Sequence, residues 1–218
     1  IYREWFVNFR FPGHENVKLV ESALGKIPEG WLKPLGDVVT LKRGYDLPER
    51  DRRPGKVPIV SSSGVTDYHD TSMVEGPGVV TGRYGTLGKV FFVEEDFWPL
   101  NTSLYVREFH GNEPLLIVHL LQSLDLAKQN AAGAVPGLNR NALHMIDVVF
   151  PPHELQSEIA PFIYNIENQL RNLRKKNDNL RTTRDLLLPK LISGQLDVED
   201  LDIDVGMTAE ELAEAAAG

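Results

Sequence analysis

The stretch 154–191 reads ELQSEIAPFIYNIENQLRNLRKKNDNLRTTRDLLLPKL. From Ile163 onward, apolar side chains recur at alternating steps of three and four residues for about four heptads. The positions on this seam are Ile163, Ile166, Leu170, Leu173, Asn177, Leu180, Arg184, Leu187 and Leu191. An apolar seam of this length is stable in water only against a second helix, so the pattern predicts a long helix that pairs with another helix.

Two polar residues, Asn177 and Arg184, interrupt the apolar seam. Polar side chains on a seam weaken packing, but they penalise wrong registers and wrong partners. At about 1.5 Å per residue the helix is roughly 55 Å long, more than a compact domain of this size needs. Pro161 is expected to kink the helix or to mark a break in its first turns, and Gly194 is placed to end it. We interpret the helix as a spacer or a docking element.

Upstream of the seam, short runs of β-branched and aromatic residues alternate with turn residues, which is typical of strands. The predicted strands are 37–41, 57–60, 79–81, 89–93, 103–107 and 146–150, and helical spacing predicts helices at 1–11 and 113–130. The expected fold class is therefore α+β, a globular domain with a mixed sheet followed by the long helix that forms a coiled coil. The expected divisions are an N-terminal helix and connector at 1–24, the domain at 25–152, the long helix at 153–194 and an acidic, mobile tail at 195–218.

Composition excludes several classes of protein. The chain has 218 residues, no cysteine and no apolar run near the roughly 18 residues that span a bilayer. With no signal-peptide pattern at the start, a reducing cytoplasm is the expected location. The six histidines show no metal-site spacing with a catalytic acid, so no metal site is expected. Because the chain begins at Ile1 inside a predicted helix, one expectation is that it is a cut or processed fragment.

The net charge of −8 argues against a nucleic-acid partner only if the charge is evenly spread. Eight of the 31 acidic residues follow Ile192, where there is no lysine or arginine, so the rest of the chain is neutral overall. Two segments, 42–56 and 171–190, are rich in basic residues. Each is interpreted either as a surface that attracts DNA or as a solvated face.

A glycine-rich segment at 82–89 reads GRYGTLGK. It fails the phosphate-loop pattern, because the glycine spacing is one residue too long and no serine or threonine follows the lysine. It lies between two predicted strands, which indicates a hairpin carrying Arg83, Tyr84 and Lys89. Either this is a plain turn, or its backbone approaches a ligand closely, with Arg83 available for a bidentate contact to guanine.

Two further polar segments are candidates for DNA contact. Asn139-Arg140-Asn141 is expected at the head of the last strand, where its side chains match adenine and guanine edges, although capping or a turn explains the asparagines equally well. Ser62 lies in a serine-rich turn that either shapes the chain or supplies small hydrogen-bonding contacts. Phe150-Pro151-Pro152-His153 is superficially like the tetrapeptide of amino-methyltransferases, but it lacks both flanking residues, so no catalysis is expected.

Five segments of the chain follow one another in a specific order. They are 5–13 (WFVNFRFPG), 25–31 (GKIPEGW), the loop 82–88, 151–159 (PPHELQSEI) and 186–194 (LLLPKLISG). In this order they resemble one half of a type I restriction-modification specificity subunit, and together they cover essentially residues 1–194. The family usually has Glu before Gln where the long helix begins, whereas here Leu155 precedes Gln156.

The resemblance implies two target-recognition domains and two long antiparallel helices, with each domain reading half of a bipartite DNA sequence while the helix pair sets the gap. This chain would be a piece carrying one half, or a natural half-subunit that forms a homodimer. The implied partners are double-stranded DNA, a methyltransferase subunit that holds S-adenosylmethionine, and a restriction/translocase subunit. The chain itself would hold no cofactor. The alternatives are a recognition module cut from a fused restriction-modification enzyme and a coiled-coil interaction protein without DNA binding.

These considerations give two sets of site residues. The residues expected to contact DNA are Lys42, Arg43, Arg52, Arg53, Ser62, Arg83, Tyr84, Lys89, Asn139, Arg140 and Asn141. Arg83 and Arg140 are expected to read bases, and Lys42, Arg43, Arg52 and Lys89 are expected to hold phosphates. The helix-pair interface is expected at Ile163, Ile166, Leu170, Leu173, Asn177, Leu180, Arg184 and Leu187.

Overall fold

The computed structural model describes residues 1–128 and 137–196. Its helices are α1 (Tyr2–Phe6), α2 (Leu35–Val38), α3 (Pro114–Ser123), α4 (Arg140–His144) and α5 (His153–Ile192). Its strands are β1 (Leu19–Ser22), β2 (Gly25–Pro28), β3 (Leu32–Pro34), β4 (Thr40–Arg43), β5 (Val57–Ser61), β6 (Gly64–His69), β7 (Gly78–Gly82), β8 (Val90–Val93), β9 (Trp98–Pro99), β10 (Ser103–Glu108) and β11 (Asp147–Val149). The chain divides into two units, 1–165 and 166–218, with the boundary inside α5.

The first unit is built around a four-stranded antiparallel sheet of order β4-β10-β7-β8. Successive residues of a strand point to opposite faces. Val79 and Leu104 therefore pack in one core, together with α3, while Val80 and Tyr105 pack in a second core. The second core includes Val60 of β5, from a three-stranded sheet of order β6-β5-β9. Because β5 and β9 run parallel while the other paired strands are antiparallel, the predicted mixed-sheet α+β fold is confirmed.

Five of the six predicted strands are confirmed as β5, β7, β8, β10 and β11, with ends that differ by at most one residue. The prediction at 37–41 is wrong in its first half. Leu35 and Val38 are both completely buried one helical turn apart, so this segment forms α2, and β4 begins only at Thr40. No sequence pattern predicts β6, because only its two end residues are buried and the apolar alternation of a half-buried strand is absent.

Both predicted shorter helices end earlier than expected. In α1, the helix stops at Phe6, and Phe9 adopts a left-handed φ of 55°, which turns Phe11 onto Trp31 with ring centroids 5.2 Å apart. Packing of aromatic rings thus replaces the last turns of the predicted helix. In α3, Asp125 has a left-handed φ of 45° just beyond Ser123, and this conformation ends a helix. The rest of the prediction, at 129–130, lies outside the described residues.

The long helix is confirmed as α5, with bounds His153–Ile192. It continues through Pro161, so the predicted break is wrong, while the alternative of a kink stays a prediction. A proline removes one backbone hydrogen bond, and the surrounding turns remain helical. The predicted end is correct, since Gly194, two residues after the last helical residue, has a left-handed φ of 69°. The buried residues of α5 all lie in its first turns, and they are Gln156, Ile159, Ala160 and Ile163.

In the second unit the structure describes residues 166–196, where α5 continues to Ile192. Except for its first two residues, the predicted acidic tail lies outside the described residues, and the predicted domain divisions remain predictions. Of the helices that the structure describes, none is long and apolar enough to cross a membrane.

Candidate nucleic-acid interface

The ends of the central strands bring several predicted DNA-contacting residues to one edge of the sheet. The start of β10 pairs with the end of β7 and, one residue later, with the end of β4, while β8 starts opposite the end of β7. Arg43 therefore ends β4 at the edge where Arg83 follows β7 and Lys89 precedes β8. We call this edge, with the loops that join it, the strand-end surface; its residues are Arg43, Ser62, Arg83, Tyr84, Lys89, Asn139 and Arg140.

Two neighbouring loops complete the strand-end surface. A Cβ placed on Gly85 would lie 3.5 Å from the hydroxyl of Ser62, so the β5–β6 turn lies against the β7–β8 hairpin. The Leu138 N–H donates to the Arg83 carbonyl at 3.0 Å, and the two residues after Leu138 are the predicted asparagine and base-reading arginine. Segments far apart in sequence thus meet on one surface.

The β7–β8 hairpin, which confirms the predicted hairpin at 82–89, is held by backbone contacts. The N–H groups of Arg83 and Tyr84 both donate to the Thr102 carbonyl, at 2.9 and 3.1 Å. The guanidinium carbon of Arg83 lies 4.3 Å from the Tyr84 ring centroid, a cation–π distance. The Tyr84 ring lies so close to the α-carbon of Gly137 that a Cβ there would overlap it. Contacts within the chain thus hold the hairpin on both sides.

The Asn139-Arg140-Asn141 segment begins a helix rather than the last strand. Asn139 is the N-cap of α4, and its side-chain oxygen accepts from the Asn141 N–H at 2.9 Å and the Ala142 N–H at 3.4 Å. The capping alternative is therefore correct for Asn139, because the first turn of a helix has N–H groups without backbone partners. Arg140 and Asn141 are exposed in this first turn.

Lys42 belongs to a hydrogen-bonded chain of side chains. Its ammonium donates to the Tyr45 hydroxyl at 3.1 Å, and that hydroxyl lies 3.0 Å from the Tyr105 hydroxyl. The hydrogen bond with Tyr105 and then that with Lys42 lower the pKa of Tyr45, while burial raises the pKa of Tyr105. Lys42 is half-buried here, in contrast with the exposed Arg43.

Arg52 and Arg53 lie apart from the strand-end surface. The Arg53 N–H donates at 3.0 Å to His69, at the end of the β5–β6 hairpin opposite its turn. Arg52 pairs with Asp67 at 3.2 Å and Arg53 with Asp70 at 2.8 Å, beside a polar cavity of about 680 Å³. The backbone N–H of Tyr68 and then the guanidinium of Arg52 lower the pKa of the Asp67 carboxyl. These two arginines are thus engaged in ion pairs, at a different place from Arg83.

The apolar seam of α5 is exposed beyond its first turns. Ile163 differs from the prediction, since it is 3% exposed and packs in the domain core. From Ile166 onward the apolar seam residues are 38–69% exposed. Arg184 pairs with the adjacent Asp185 at 2.7 Å. Three exposed residues outside the predicted seam widen the apolar surface near the helix end, and they are Leu186, Leu188 and Ile192.

Sequence reasoning missed two residues that shape the hairpin. Gly137 has a detectable signal, since a glycine after proline marks a turn, but nothing in the sequence indicates that Tyr84 lies on it. Thr102 acts through its backbone carbonyl, which carries no sequence signal. Within 1–128 and 137–196, no group of three or more histidine, aspartate or glutamate side chains is arranged to hold a metal ion.

The described residues thus combine an α+β domain that has a polar strand-end surface with a long helix whose apolar seam is exposed. The model of the type I restriction modification DNA specificity domain matches residues 28–182. This match covers most of the chain, and the chain therefore belongs to that family.

Individual relatives agree with the family. The type I restriction enzyme MjaIX specificity subunit of Methanocaldococcus jannaschii is 22% identical over an alignment 229 positions long, which covers 92% of this chain and 52% of that protein. The S subunit of the type I restriction-modification system from M. genitalium has a TM-score of 0.64 at 14% identity, covering 82% of this chain and 46% of that one.

Two further solved structures share the fold. One, from work on complex assembly and conformational transition of a type I R-M system, has a TM-score of 0.52 at 15% identity, over 79% of this chain and 46% of that one. The HsdS subunit from Thermoanaerobacter tengcongensis has a TM-score of 0.50 at 16% identity, over 78% and 46%. The chain thus spans about half the length of the relatives that it matches.

Proposed function

We propose that this chain is a DNA sequence-recognition component of a type I restriction-modification system and that it reads one half of a bipartite target. The observation that carries the proposal is the family match over 28–182, because it includes both the domain with the strand-end surface and much of α5. The alternative of a coiled-coil protein without DNA binding accounts for α5 but leaves the match within the domain unexplained.

The strand-end surface supports a division of roles among its residues. Arg83 follows a glycine and Arg140 opens α4 beside it, so both present a guanidinium fork where backbone lies close to the surface. Such forks bind the O6 and N7 edge of guanine bidentately. Arg43 and Lys89 are exposed at the adjacent strand ends, as expected for phosphate contacts that hold the protein in register.

The exposed seam of α5 supports pairing with a second helix. Its apolar residues are too regularly spaced and too exposed to remain solvated in the assembled protein. The second helix belongs either to another half of a longer chain or to a second copy of this chain. In the second case a twofold dimer would present two identical strand-end surfaces and would read a palindromic bipartite site.

The chain contributes recognition rather than chemistry in this proposal. A methyltransferase subunit supplies S-adenosylmethionine and modifies adenine, and a restriction/translocase subunit supplies cleavage. The support is that the relative covering 92% of the chain is named a specificity subunit, and that one structural neighbour comes from work on assembly of a type I complex. The domain and helix together carry no net charge, so they attract DNA weakly by themselves. This supports the proposal that partner subunits supply part of the phosphate contacts.

The decisive experiment is co-expression of this chain with the methyltransferase subunit of its restriction-modification system, followed by mapping of methylated adenines in the host DNA. A bipartite motif that requires this chain is expected, and a palindromic motif indicates two copies. Leu173→Asp, which places a charge on the α5 seam and leaves the strand-end surface intact, tests the pairing and is expected to abolish methylation of the bipartite motif. If the methyltransferase shows the same pattern with and without the chain, the proposed function is wrong.

A further inference from the structure

A buried side-chain amide joins the first turn of α5 to the domain. Gln156 is 1% exposed, and its amide nitrogen donates to the Asn112 side-chain oxygen at 2.8 Å and to the Pro151 carbonyl at 2.9 Å. Its amide oxygen accepts from the Glu113 N–H at 3.0 Å. Both N–H donors and the oxygen acceptor of this side chain therefore have hydrogen-bond partners.

The partner of Gln156 extends the network to a second helix. Asn112 is 8% exposed, and its amide nitrogen donates to the Val38 carbonyl at 2.8 Å, at the end of α2. Glu113, whose N–H bonds Gln156, is the N-cap of α3. Two buried amides thus join the end of α2, the start of α3 and the start of α5.

Apolar contacts on the same face of α5 surround this network. Ile159, Ala160 and Ile163 follow Gln156 at helical spacing and are all buried. Apolar contacts are not directional, so by themselves they allow a helix to shift and rotate slightly. Hydrogen bonds weaken steeply when their angles change, so a fully bonded buried amide selects one orientation.

We propose that Gln156 is a positioning residue that fixes the direction in which α5 leaves the domain, and thereby determines the gap between the two half-sites that the assembled protein accepts. This inference rests on the proposed function. From Gln156 to its end α5 is about 54 Å long at ~1.5 Å per residue. A change of direction of about 5° at Gln156 displaces the far end by about 5 Å, which exceeds the rise of one base pair, about 3.4 Å.

Two variants test the positioning role of Gln156, and they remove different numbers of its hydrogen bonds. Gln156→Met keeps the length of the side chain and removes all three of its hydrogen bonds. Glu113→Pro removes the N–H that bonds the Gln156 oxygen, together with the Glu113 carboxylate, at a position whose φ of −68° a proline adopts. Glu113→Ala removes the carboxylate and keeps the N–H, and it is therefore the control for this variant. The matched control is Val80→Ala in the second core, which destabilises the domain without touching α5.

The readout is the spacing of methylated bipartite sites in the complex of the full chain with the methyltransferase subunit. The wild-type complex is expected to accept one gap, and both variants are expected also to methylate sites with gaps one base pair shorter or longer, with unchanged half-site sequences. Val80→Ala, which tests for loss of stability alone, is expected to keep the single gap.

The possible results separate this inference from the proposed function. A folded Gln156→Met or Glu113→Pro chain that keeps the wild-type gap overturns the inference and leaves the proposed function standing. If Gln156→Met does not fold, Glu113→Pro decides. The inference is also overturned if Val80→Ala methylates sites with shorter or longer gaps, because the loss of gap selectivity then follows from lower stability of the domain. A wild-type complex that methylates no bipartite site overturns both.

Discussion

Replacement of Arg83 by alanine is expected to remove sequence discrimination at one base pair. The side chain lies 4.3 Å from the Tyr84 ring, whereas the hairpin itself is held through the backbone by Thr102, so the truncation leaves the scaffold in place. A bidentate contact to guanine contributes about 1–3 kcal/mol of discrimination. Since a tenfold change in Kd corresponds to about 1.4 kcal/mol, this loss corresponds to a roughly 5- to 140-fold higher Kd for the target.

The assay is fluorescence anisotropy of the complex with the methyltransferase subunit, using the target duplex and duplexes with one altered base pair, at several salt concentrations. Arg83→Ala is expected to bind one altered duplex as well as the target. The comparison is Lys89→Ala, which is expected to weaken binding to all duplexes alike and to reduce the slope of log K against log salt by about one unit. If both Arg83→Ala and Arg140→Ala keep the wild-type affinity and methylation pattern, the strand-end surface does not read the DNA.

Three further results are expected. Asn177→Leu should raise the midpoint of thermal unfolding and broaden the oligomer distribution in analytical ultracentrifugation, because a polar seam residue restricts register at a cost in stability; an unchanged midpoint would contradict this. Burial and then the charges of Arg140 and His110 lower the pKa of His144, whose Nε2 accepts from the Leu41 N–H at 2.9 Å. The unfolded chain therefore takes up the proton more readily than the folded chain. In denaturant unfolding, this part of the stability is present above the unfolded pKa of 6.5 and decreases as the pH falls below it. His144→Gln should flatten this dependence, and an unaltered profile in that variant would refute the assignment. The chain purified alone should show neither methyl transfer nor cleavage with magnesium and S-adenosylmethionine, and turnover that stays with the chain through repeated purification would contradict the proposed role.

The predictable parts of the fold are those whose sequence pattern is sustained over many residues or concentrated in a few neighbouring ones. The α5 helix follows from about four heptads of spacing, and its end follows from Gly194. The β7–β8 hairpin follows from glycines between two apolar runs. In contrast, the meeting of Arg43, Arg83 and Ser62 depends on the strand order β4-β10-β7-β8 and on contact between two sheets, which single-sequence patterns do not encode.

The failures of sequence reasoning have specific physical causes. In α2, two buried residues one turn apart are too few to distinguish a helical period from a strand. For Ile163, the heptad pattern shows that the seam is apolar but not which part of it the domain itself covers. For Arg52 and Arg53, DNA contact stays a prediction; their ion pairs with Asp67 and Asp70 could not be read from basic composition, because they arise only when β5 and β6 pair.

The manner in which the β7–β8 hairpin is held determines which of its residues can change during evolution. The Thr102 carbonyl accepts from the backbone at residues 83 and 84, and the Leu138 N–H donates to the backbone at 83, so none of these bonds depends on the side chain of Arg83. Gly137 is constrained instead, because any larger residue would displace the Tyr84 ring. Point mutations at position 83 therefore change what the surface presents while the chain still folds. Under the proposed function, such changes let a lineage move from one DNA target to another without passing through an unfolded intermediate.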